Sequence, residues 1–264
     1  MSAIWEVFIA LFVNTLLWIY DIVGHNFGLA IILFTILIRL ITWPLNSSQM
    51  KGAQAMQSLQ NDKEWLEIQK KYAKDREKLA QEQMRIYQER GINPFGSCLP
   101  MLIQFPIIIA LYQSISRAMA STPLGLLQLG RSLYSFLNVE TIIPLNSKFL
   151  WMDLGRPEAV MLFGIGIPTL AIIVGLSTYV QSKLTMPSTP STGPNDQAAA
   201  MSSSMAITMP IMMAWITYGL PAGVGIYFVT SNLLGVAQYA MMGKVNWRNL
   251  LPGGNQPTPP ARKK

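Results

Sequence analysis

Five long apolar runs alternate with polar or Gly/Pro-rich connections along the chain. The runs cover about residues 26–45, 97–117, 159–181, 202–219 and 222–243, and each is short of acidic residues. A hydrocarbon core about 30 Å thick is crossed by roughly 20 apolar residues in a helix, which is the length of these runs. None of them shows the roughly ten-residue alternation of a membrane β-strand. The pattern therefore predicts an all-α integral membrane protein with five transmembrane helices.

The first 25 residues follow a different pattern. Glu6, Asn14 and Asp21 share one narrow helical face, opposite a broad face of Ile, Phe, Leu and Trp. This pattern favours an external amphipathic helix over residues 1–25 that lies in the membrane interface. A sixth span is the alternative, because the segment is long enough and Glu6 and Asp21 are its only charged side chains. The segment lacks the basic start and the small-residue cleavage site of a signal peptide.

The first connection is strongly charged. Its opposite charges often lie three or four residues apart, as in Glu67 with Lys71 and Glu82 with Arg85, and such pairs support exposed helices. Apolar residues recur at helical spacing on both sides of a turn near 73–75. We therefore expect an antiparallel helical hairpin over 47–92. A solvated charged loop is the alternative.

Most of the 20 Lys and Arg residues lie between 46 and 96 or after residue 243. Cytoplasmic loops of membrane proteins carry an excess of these residues, so we expect an external N-terminus, a cytoplasmic hairpin and a cytoplasmic C-terminus. The Pro/Ser/Thr/Gly-rich stretch 184–200 reads as a flexible linker. The basic tail, residues 244–264, reads as disordered, and its candidate partners are anionic lipid head groups and ribosomal RNA.

Composition agrees with a membrane protein and narrows the chemistry. Charged residues make up 12% of the chain, against about 25% in ordinary soluble domains. Cys98 and His25 are the only cysteine and the only histidine, so neither a disulfide nor a Cys/His metal site is expected. No P-loop motif is present. We expect no cofactor, no metal and no enzymatic reaction.

Arg39 is the most informative residue of the apolar runs. It lies within "LFTILIRLITWPLN", about 10 Å inside the predicted end of the first span. A central arginine costs roughly 2.5–3.5 kcal/mol, so snorkelling, water or a partner must compensate for it. Thr35, Thr42 and Asn46 share its helical face. Because none of the predicted spans contains an acid, we expect a wet cavity that opens to the cytoplasm and suits an acidic visitor.

Other polar side chains occur in the later spans. They include Gln104, Thr178, Gln181, Ser204, Thr208, Thr230, Ser231, Asn232 and Gln238. Each one singly could act as an interhelical contact worth about 0.6 kcal/mol. Together they could line the cavity that Arg39 predicts.

Three segments resemble motifs of a known family. They are "NPFGSCLPMLIQFPIIIALY" (93–112), "FLWMDLGRPE" (149–158) and "MPIMMAWITYGLPAGVGIYFVTSNLLGVAQ" (209–238). They resemble the YidC, mitochondrial Oxa and chloroplast Albino membrane protein insertases, in the family's order, over about 26–243. The resemblance implies a five-helix core with a groove open to cytoplasm and lipid, a cytoplasmic helical hairpin and an external amphipathic helix.

The resemblance also implies roles for single residues. The groove arginine of the family falls on Arg39, and the polar residue one turn earlier falls on Thr35. Gln104 and Gln181 match glutamines of the second and third spans. Asn232 completes the residues that we place in the substrate groove. Phe228 departs from the pattern, because members usually carry Tyr or Trp there, so an apolar contact survives and a hydrogen bond is lost.

These observations predict a compact bacterial insertase and chaperone in the plasma membrane. The resemblance implies nascent membrane proteins and the ribosome as partners, with the Sec translocon and membrane lipids as further candidates. A small-anion channel or transporter with Arg39 as its selectivity charge is the alternative, although no internal repeat is evident. A scaffold or assembly chaperone is a third interpretation, which predicts client binding without translocation.

Overall fold

The computed structural model describes most of the chain. The described residues are 3–48, 52, 62–72, 75–91, 99–119, 122–135, 137, 142, 145–162, 165–185 and 197–243. Their helices are α1 (Ala3–Ile22), α2 (Phe27–Ile41), α3 (Lys63–Lys71), α4 (Arg76–Glu89), α5 (Leu99–Ala118), α6 (Pro123–Ser132), α7 (Thr169–Thr185), α8 (Gln197–Tyr218) and α9 (Ala222–Met241). Residues 43–48 add a further helical stretch after α2. The described part is mostly helical, as predicted.

Two short antiparallel hairpins precede α7. Strand β1 (Lys148–Phe149) pairs with β2 (Met152–Asp153), and β3 (Val160–Leu162) pairs with β4 (Ile165–Ile167). The prediction that the third span begins as helix near residue 159 is therefore wrong. Pro168 explains the delay, because proline disfavours helical backbone in the residue before it and is itself tolerated at a helix start.

The other predicted runs differ from the helices only at their ends. Helix α8 begins at Gln197, inside the stretch that composition assigned to a flexible linker. Pro106 lies inside α5 and Pro210 inside α8. The predicted tail 244–264, Cys98 and residues 73–74 of the predicted turn near 73–75 lie outside the described residues.

Close contacts at the α9 glycines give the directions of the bundle helices. A Cβ placed on Gly223 would lie 2.9 Å from Cδ1 of Ile31 and 3.1 Å from Cδ1 of Ile115. The beginning of α9 thus meets the beginning of α2 and the end of α5. A Cβ on Gly225 would meet Leu170 near the beginning of α7. Helices α2, α7 and α9 therefore run in one direction, and α5 runs in the opposite direction.

An apolar core fills the end of the bundle where α2, α7 and α9 begin. Its fully buried members include Phe27, Ile31, Ile115, Val224 and Leu154. The segment that contains β1 and β2 closes the same end, because backbone N–H groups of Ala222 and Gly223 donate to the carbonyls of Arg156 and Leu154. The first N–H groups of a helix lack partners inside it, so these bonds satisfy two donors that would otherwise be unpaired. We call this end the capped end.

Polar contacts hold helix α1 to the capped end at three points along its length. Near its beginning, Glu6 forms an ion pair with Arg117 in the last turn of α5. In its middle, Asn14 donates to the carbonyl of Ser132 just before the chain leaves α6. Near its end, the Tyr20 hydroxyl accepts a hydrogen bond from the backbone of Asn146. Both ends of α1 thus meet the same end of the bundle.

The polar face predicted for α1 is only partly exposed. Glu6 and Asp21 are exposed, but Asn14 is buried, because Ser132 and Tyr134 cover it and pair with its amide. The outward stripe of α1 is apolar instead, and its exposed members are Ile4, Val7, Leu11, Trp18 and Ile22. Among the described residues, α1 is the one helix with a stretch, Ile4–Ile22, long and apolar enough by composition to cross a membrane.

Helices α3 and α4 pack chiefly on each other. Trp65 and Ile86 are buried at their contact. Arg90, at the end of α4, forms ion pairs with Asp62 and Glu64 at the beginning of α3. The two helices are therefore antiparallel, since the end of one meets the beginning of the other.

Candidate functional site

Arg39 joins α2 to α9 in the half of the bundle away from the capped end. Its Nε donates to Ser231 Oγ at 3.2 Å, and its Nη2 donates to the same oxygen and to the Ser231 carbonyl, each at 2.7 Å. Because α2 and α9 run parallel, the thirteenth residue of α2 meets the tenth residue of α9. The guanidinium is thus fixed by neutral oxygens of a residue 192 positions away in sequence.

Gly235 makes room for two of the predicted site residues. A Cβ at this position would collide with Nε2 of Gln181 and would lie 3.5 Å from Nη2 of Arg39. The Gln181 amide and the Arg39 guanidinium therefore both lie over the bare backbone of α9. This contact brings α2, α7 and α9 together at one point.

Asn232 holds α7 to α9 beside that point. Its Nδ2 donates to Ser177 Oγ and to Thr178 Oγ1, each at 2.9 Å. Thr178 is buried and donates its own hydroxyl proton to the carbonyl of Val174. Asn232 thus makes an interhelical contact, the first of the two roles that sequence left open. We call Arg39, Gln181, Ser231, Asn232 and Gly235, with the α7 hydroxyls that they meet, the polar seam.

Gln104 reaches the polar seam through a tyrosine. Its Nε2 donates to the Tyr227 hydroxyl at 2.7 Å, which links α5 to α9. That hydroxyl also lies within interaction range of the Ser231 side chain, which binds Arg39. A chain of polar groups therefore runs from Gln104 through Tyr227 and Ser231 to Arg39.

Thr35 and Phe228 lie apart from this chain of polar groups. Thr35 is fully buried, and its hydroxyl donates at 2.6 Å to the carbonyl of Ile31 in its own helix. Phe228 is buried in the apolar core, and its ring centroid lies 5.7 Å from that of Tyr227. The ring that brings a hydroxyl to the seam is Tyr227, one position earlier in α9. Sequence reasoning missed it, because a tyrosine in an apolar run carries no charge to mark it.

Arg39 differs from the arginines that form ion pairs. Arg85, Arg90, Arg117 and Arg156 each form an ion pair with Asp or Glu. Among the described residues, Arg39 forms no ion pair. Neutral oxygens solvate a guanidinium without cancelling its charge, so the seam keeps a net positive charge in a largely apolar bundle.

Gly235 of the polar seam and Gln238, one turn later in α9, had weak signals in the sequence. Gly235 is one of 19 glycines, and nothing local separates it from the others. Gln238 belongs to the polar set of the last span, and the structure buries it with its Nε2 unpaired to any described residue. In the described part of the chain, no group of His, Cys, Asp and Glu could hold a metal ion.

Comparison with known proteins supports an insertase. The chain matches the family described as 60Kd inner membrane protein over residues 18–248. It is 34% identical to "Membrane protein insertase YidC" of Oceanobacillus iheyensis, over 92% of this chain and 85% of that protein. It is 36% identical to the protein of the same name from Clostridium tetani, over 86% of each chain.

Two further matches agree. The chain is 33% identical to "Membrane protein insertase MisCA" of Bacillus subtilis, over 84% of this chain and 72% of that protein. A solved structure, "Active YidC insertase crystal structure with the first transmembrane domain resolved", superposes with a TM-score of 0.56 at 26% identity. The match covers 90% of this chain and 46% of that solved chain.

The small-anion channel finds no support among these matches. The family match over most of the chain, with relatives matched over most of their own length, shows that this chain belongs to the YidC family of membrane protein insertases.

Proposed function

We propose that the chain inserts nascent membrane proteins by receiving their polar segments at the polar seam, with Arg39 as the group that attracts acidic ones. The observation that carries the proposal is the charge state of the seam. Arg39 is bonded to neutral oxygens of Ser231, and no described carboxylate pairs with it. A cation held in this way has an unmatched charge that a client can match.

The energies favour reversible binding. A carboxylate about 4 Å from a guanidinium gains about 4 kcal/mol at an effective dielectric of roughly 20. A charge at the middle of a bilayer costs roughly 2.5–3.5 kcal/mol. The two terms are of the same size, so Arg39 can offset the desolvation of a client tail without trapping it. Burial of the client's apolar helix in lipid then drives release.

In this mechanism the protein solvates a client and makes or breaks no covalent bond. The capped end blocks passage on one side, because the β1–β2 segment covers the first turn of α9 there. The polar seam lies toward the other ends of α2, α7 and α9, which we assign to the cytoplasmic side on the charge pattern of the loops. The client's polar segment would cross only the part of the bilayer beyond the seam.

The test uses a pair of single-span clients that differ only in whether their short tail is acidic or neutral. We expect Arg39→Lys in proteoliposomes to keep most insertion of both clients, because the positive charge remains. Arg39→Glu should strongly reduce insertion of the acidic client by repulsion and leave the neutral client near the wild-type level. Protection of the client tail from external protease measures insertion. Equal insertion of the acidic client by wild type and Arg39→Glu would contradict the proposal.

We further propose that α1 lies in the external interface and that α2, α5, α7, α8 and α9 span the membrane. The contacts of α1 from Glu6 to Tyr20 at the capped end support this arrangement over a sixth span. Cysteine labelling in a Cys98→Ser background tests it, with single cysteines at Glu6 and Asp21, the exposed polar positions near the two ends of α1. Both positions should react with an impermeant maleimide added outside. Labelling of the two positions from opposite sides would show that α1 spans.

The helical pair α3–α4 and the tail 244–264 are our candidates for contacts with the ribosome, the Sec translocon and lipid head groups. The support is their charge: the pair carries exposed ion pairs, and the tail carries several Lys and Arg residues. Such charge attracts both RNA phosphate and anionic lipid. Deletion of residues 255–264 should lower ribosome co-sedimentation, and unchanged co-sedimentation would remove the tail from that role.

A further inference from the structure

We infer that Gln238 is a second client-binding residue of the insertase, and that its amide takes a carbonyl oxygen of the client backbone. This inference rests on the proposed function of the polar seam and adds a chemical class to it. Arg39 selects charge, whereas Gln238 would bind a group that every polypeptide carries.

Gln238 is buried without a partner for its amide nitrogen. Only 4% of the residue is exposed. Its Nε2 has no hydrogen-bond partner among the described residues. Other polar side chains buried on α7 and α9, Thr178 and Ser231, do have partners. Gln238 is therefore the exception in its own neighbourhood.

Its position places the amide in line with the seam. Ser231, Gly235 and Gln238 are spaced four and three residues apart, so they share one face of α9. Ser231 contacts Arg39 on that face, and Gly235 lies against Arg39 and Gln181. Gln238 thus continues the face that α9 turns toward α2 and α7, about 10 Å beyond Ser231 along the helix axis.

An unpaired donor in such a place is costly, because a buried amide loses its bonds to water without gaining others. Packing alone would be served as well by Leu, which has a similar shape and no polar atoms. The observed amide is therefore better explained by an acceptor that arrives from outside the chain and displaces the side chains that cover Gln238 in its absence. The donor is an N–H group, so the visitor must present an oxygen.

Backbone carbonyls of an extended client segment have the right chemistry and spacing. Arg39 keeps its Nη1 without a hydrogen bond to any described residue, since its contacts to Ser231 use Nε and Nη2. An extended chain advances about 3.3 Å per residue. A segment bound at Arg39 would therefore present a carbonyl to Gln238 about three residues further along.

The test measures insertion of the acidic and neutral clients by Gln238→Leu. We expect insertion of both clients to fall by about fivefold at limiting insertase, because one hydrogen bond is lost and both clients carry the same backbone. The unfolding temperature in detergent should stay equal or rise, since an unpaired buried donor is removed. Gln128→Leu, the same change at an exposed position of α6, is the matched control and should leave insertion unchanged.

Two results would overturn the inference. Unchanged insertion of both clients by Gln238→Leu would mean that the amide holds water only, and loss of insertion together with a lower unfolding temperature would mean that it serves packing. If Gln238→Leu does not fold, disulfide crosslinking from Gln238→Cys, in a Cys98→Ser background, to single-cysteine clients decides the question. Crosslinks about three client residues from the position that contacts Arg39 support it, and their absence overturns it. In wild type, failure to insert either client would instead contradict the proposed function.

Discussion

The two halves of helix α9 contact different kinds of atoms in the same bundle. In the first half, the residues from Ala222 to Phe228 are all buried, and glycines allow Ile31, Ile115 and Leu170 to approach the backbone closely. In the second half the neighbours are polar: Ser231 and Gly235 contact Arg39 of α2, and Asn232 donates to two hydroxyls of α7. Gln238 shares the helical face of Ser231. Close packing of apolar atoms excludes water, whereas polar atoms with unused hydrogen-bonding groups can bind it.

The contrast shows that one helix can combine a close-packed apolar half with a half that carries polar groups. Glycine appears in both halves with different neighbours. At Gly225 the neighbours are the carbons of Leu170 and Thr217, which are held by the core. At Gly235 they are the ends of two long polar side chains, Gln181 and Arg39. The same substitution should therefore have different consequences in the two halves.

The largest effect should come from overfilling the first half. In Gly225→Val, the added Cβ alone would lie 2.5 Å from Leu170 Cδ2 and 3.2 Å from Thr217 Cγ2, and two methyl groups would follow it. Overpacking of this kind costs about 1–3 kcal/mol. Thermal unfolding in detergent should show the loss. Gly130→Val, at a position of α6 with no atom within 4 Å of the added Cβ, should change stability little. Equal losses from both variants would contradict the contrast between close-packed and open positions.

A smaller effect on stability, with a clear effect on function, is expected from Gly235→Ala. The added Cβ displaces Nε2 of Gln181 and crowds Nη2 of Arg39, but both are ends of flexible side chains that can move. We expect little change in the unfolding temperature and a loss of about fivefold in insertion of the acidic client, equivalent to one weakened hydrogen bond.

The matched control for that variant is Gly225→Ala in the same helix. It should lower the unfolding temperature, while the folded fraction inserts the acidic client at the wild-type rate. If Gly235→Ala destabilised the protein as much as Gly225→Ala and left insertion per folded molecule unchanged, the two halves would not differ in the way proposed.

The smallest effect is expected outside the bundle, at Arg90, which unlike Arg39 is paired with carboxylates. Arg90 pairs with Asp62, and the Arg90 guanidinium is the main cause that holds the pKa of Asp62 below its ordinary value; the backbone N–H of Glu64 adds to the shift. A lowered pKa stabilises the folded pair above the unfolded pKa of about 3.9, and this contribution is lost as pH falls through the lower folded pKa. Contact between α3 and α4 should therefore weaken slightly below about pH 4.

Fluorotryptophan at Trp65 gives a fluorine resonance that reports this contact, because Trp65 is buried between the two helices. The variant Trp65→Phe assigns the resonance. Asp62→Asn should remove this part of the pH dependence. A resonance that shifts equally with pH in wild type and Asp62→Asn would show that the Asp62 pair does not control the contact.

Much of the fold and part of the site could be predicted from the sequence. Apolar runs of helical length marked α2, α5, α8 and α9, because hydropathy and helix geometry are both local properties of the chain. Charge pairs and recurring apolar residues marked α3 and α4. Arg39 stood out because a charge deep in an apolar run is costly wherever the chain folds.

The rest depended on contacts between distant parts of the chain. Thr35 shares the helical face of Arg39, yet its hydroxyl pairs with Ile31 in its own helix. Phe228 lies in the apolar core, and its neighbour Tyr227 meets Gln104. A one-residue step along α9 turns a side chain by about 100°, so a small difference in helix rotation decides which ring reaches the seam.

The sequence by itself determined the helical class of the protein and the presence of one unmatched charge within an apolar run, because hydropathy and charge are properties of each residue and its near neighbours. Only the tertiary structure decided that Ser231 solvates Arg39, that Gly235 makes room for it, and that both ends of α1 are held at the same end of the bundle. These features depend on the register between parallel helices, which is set by packing over the whole core and by no local pattern.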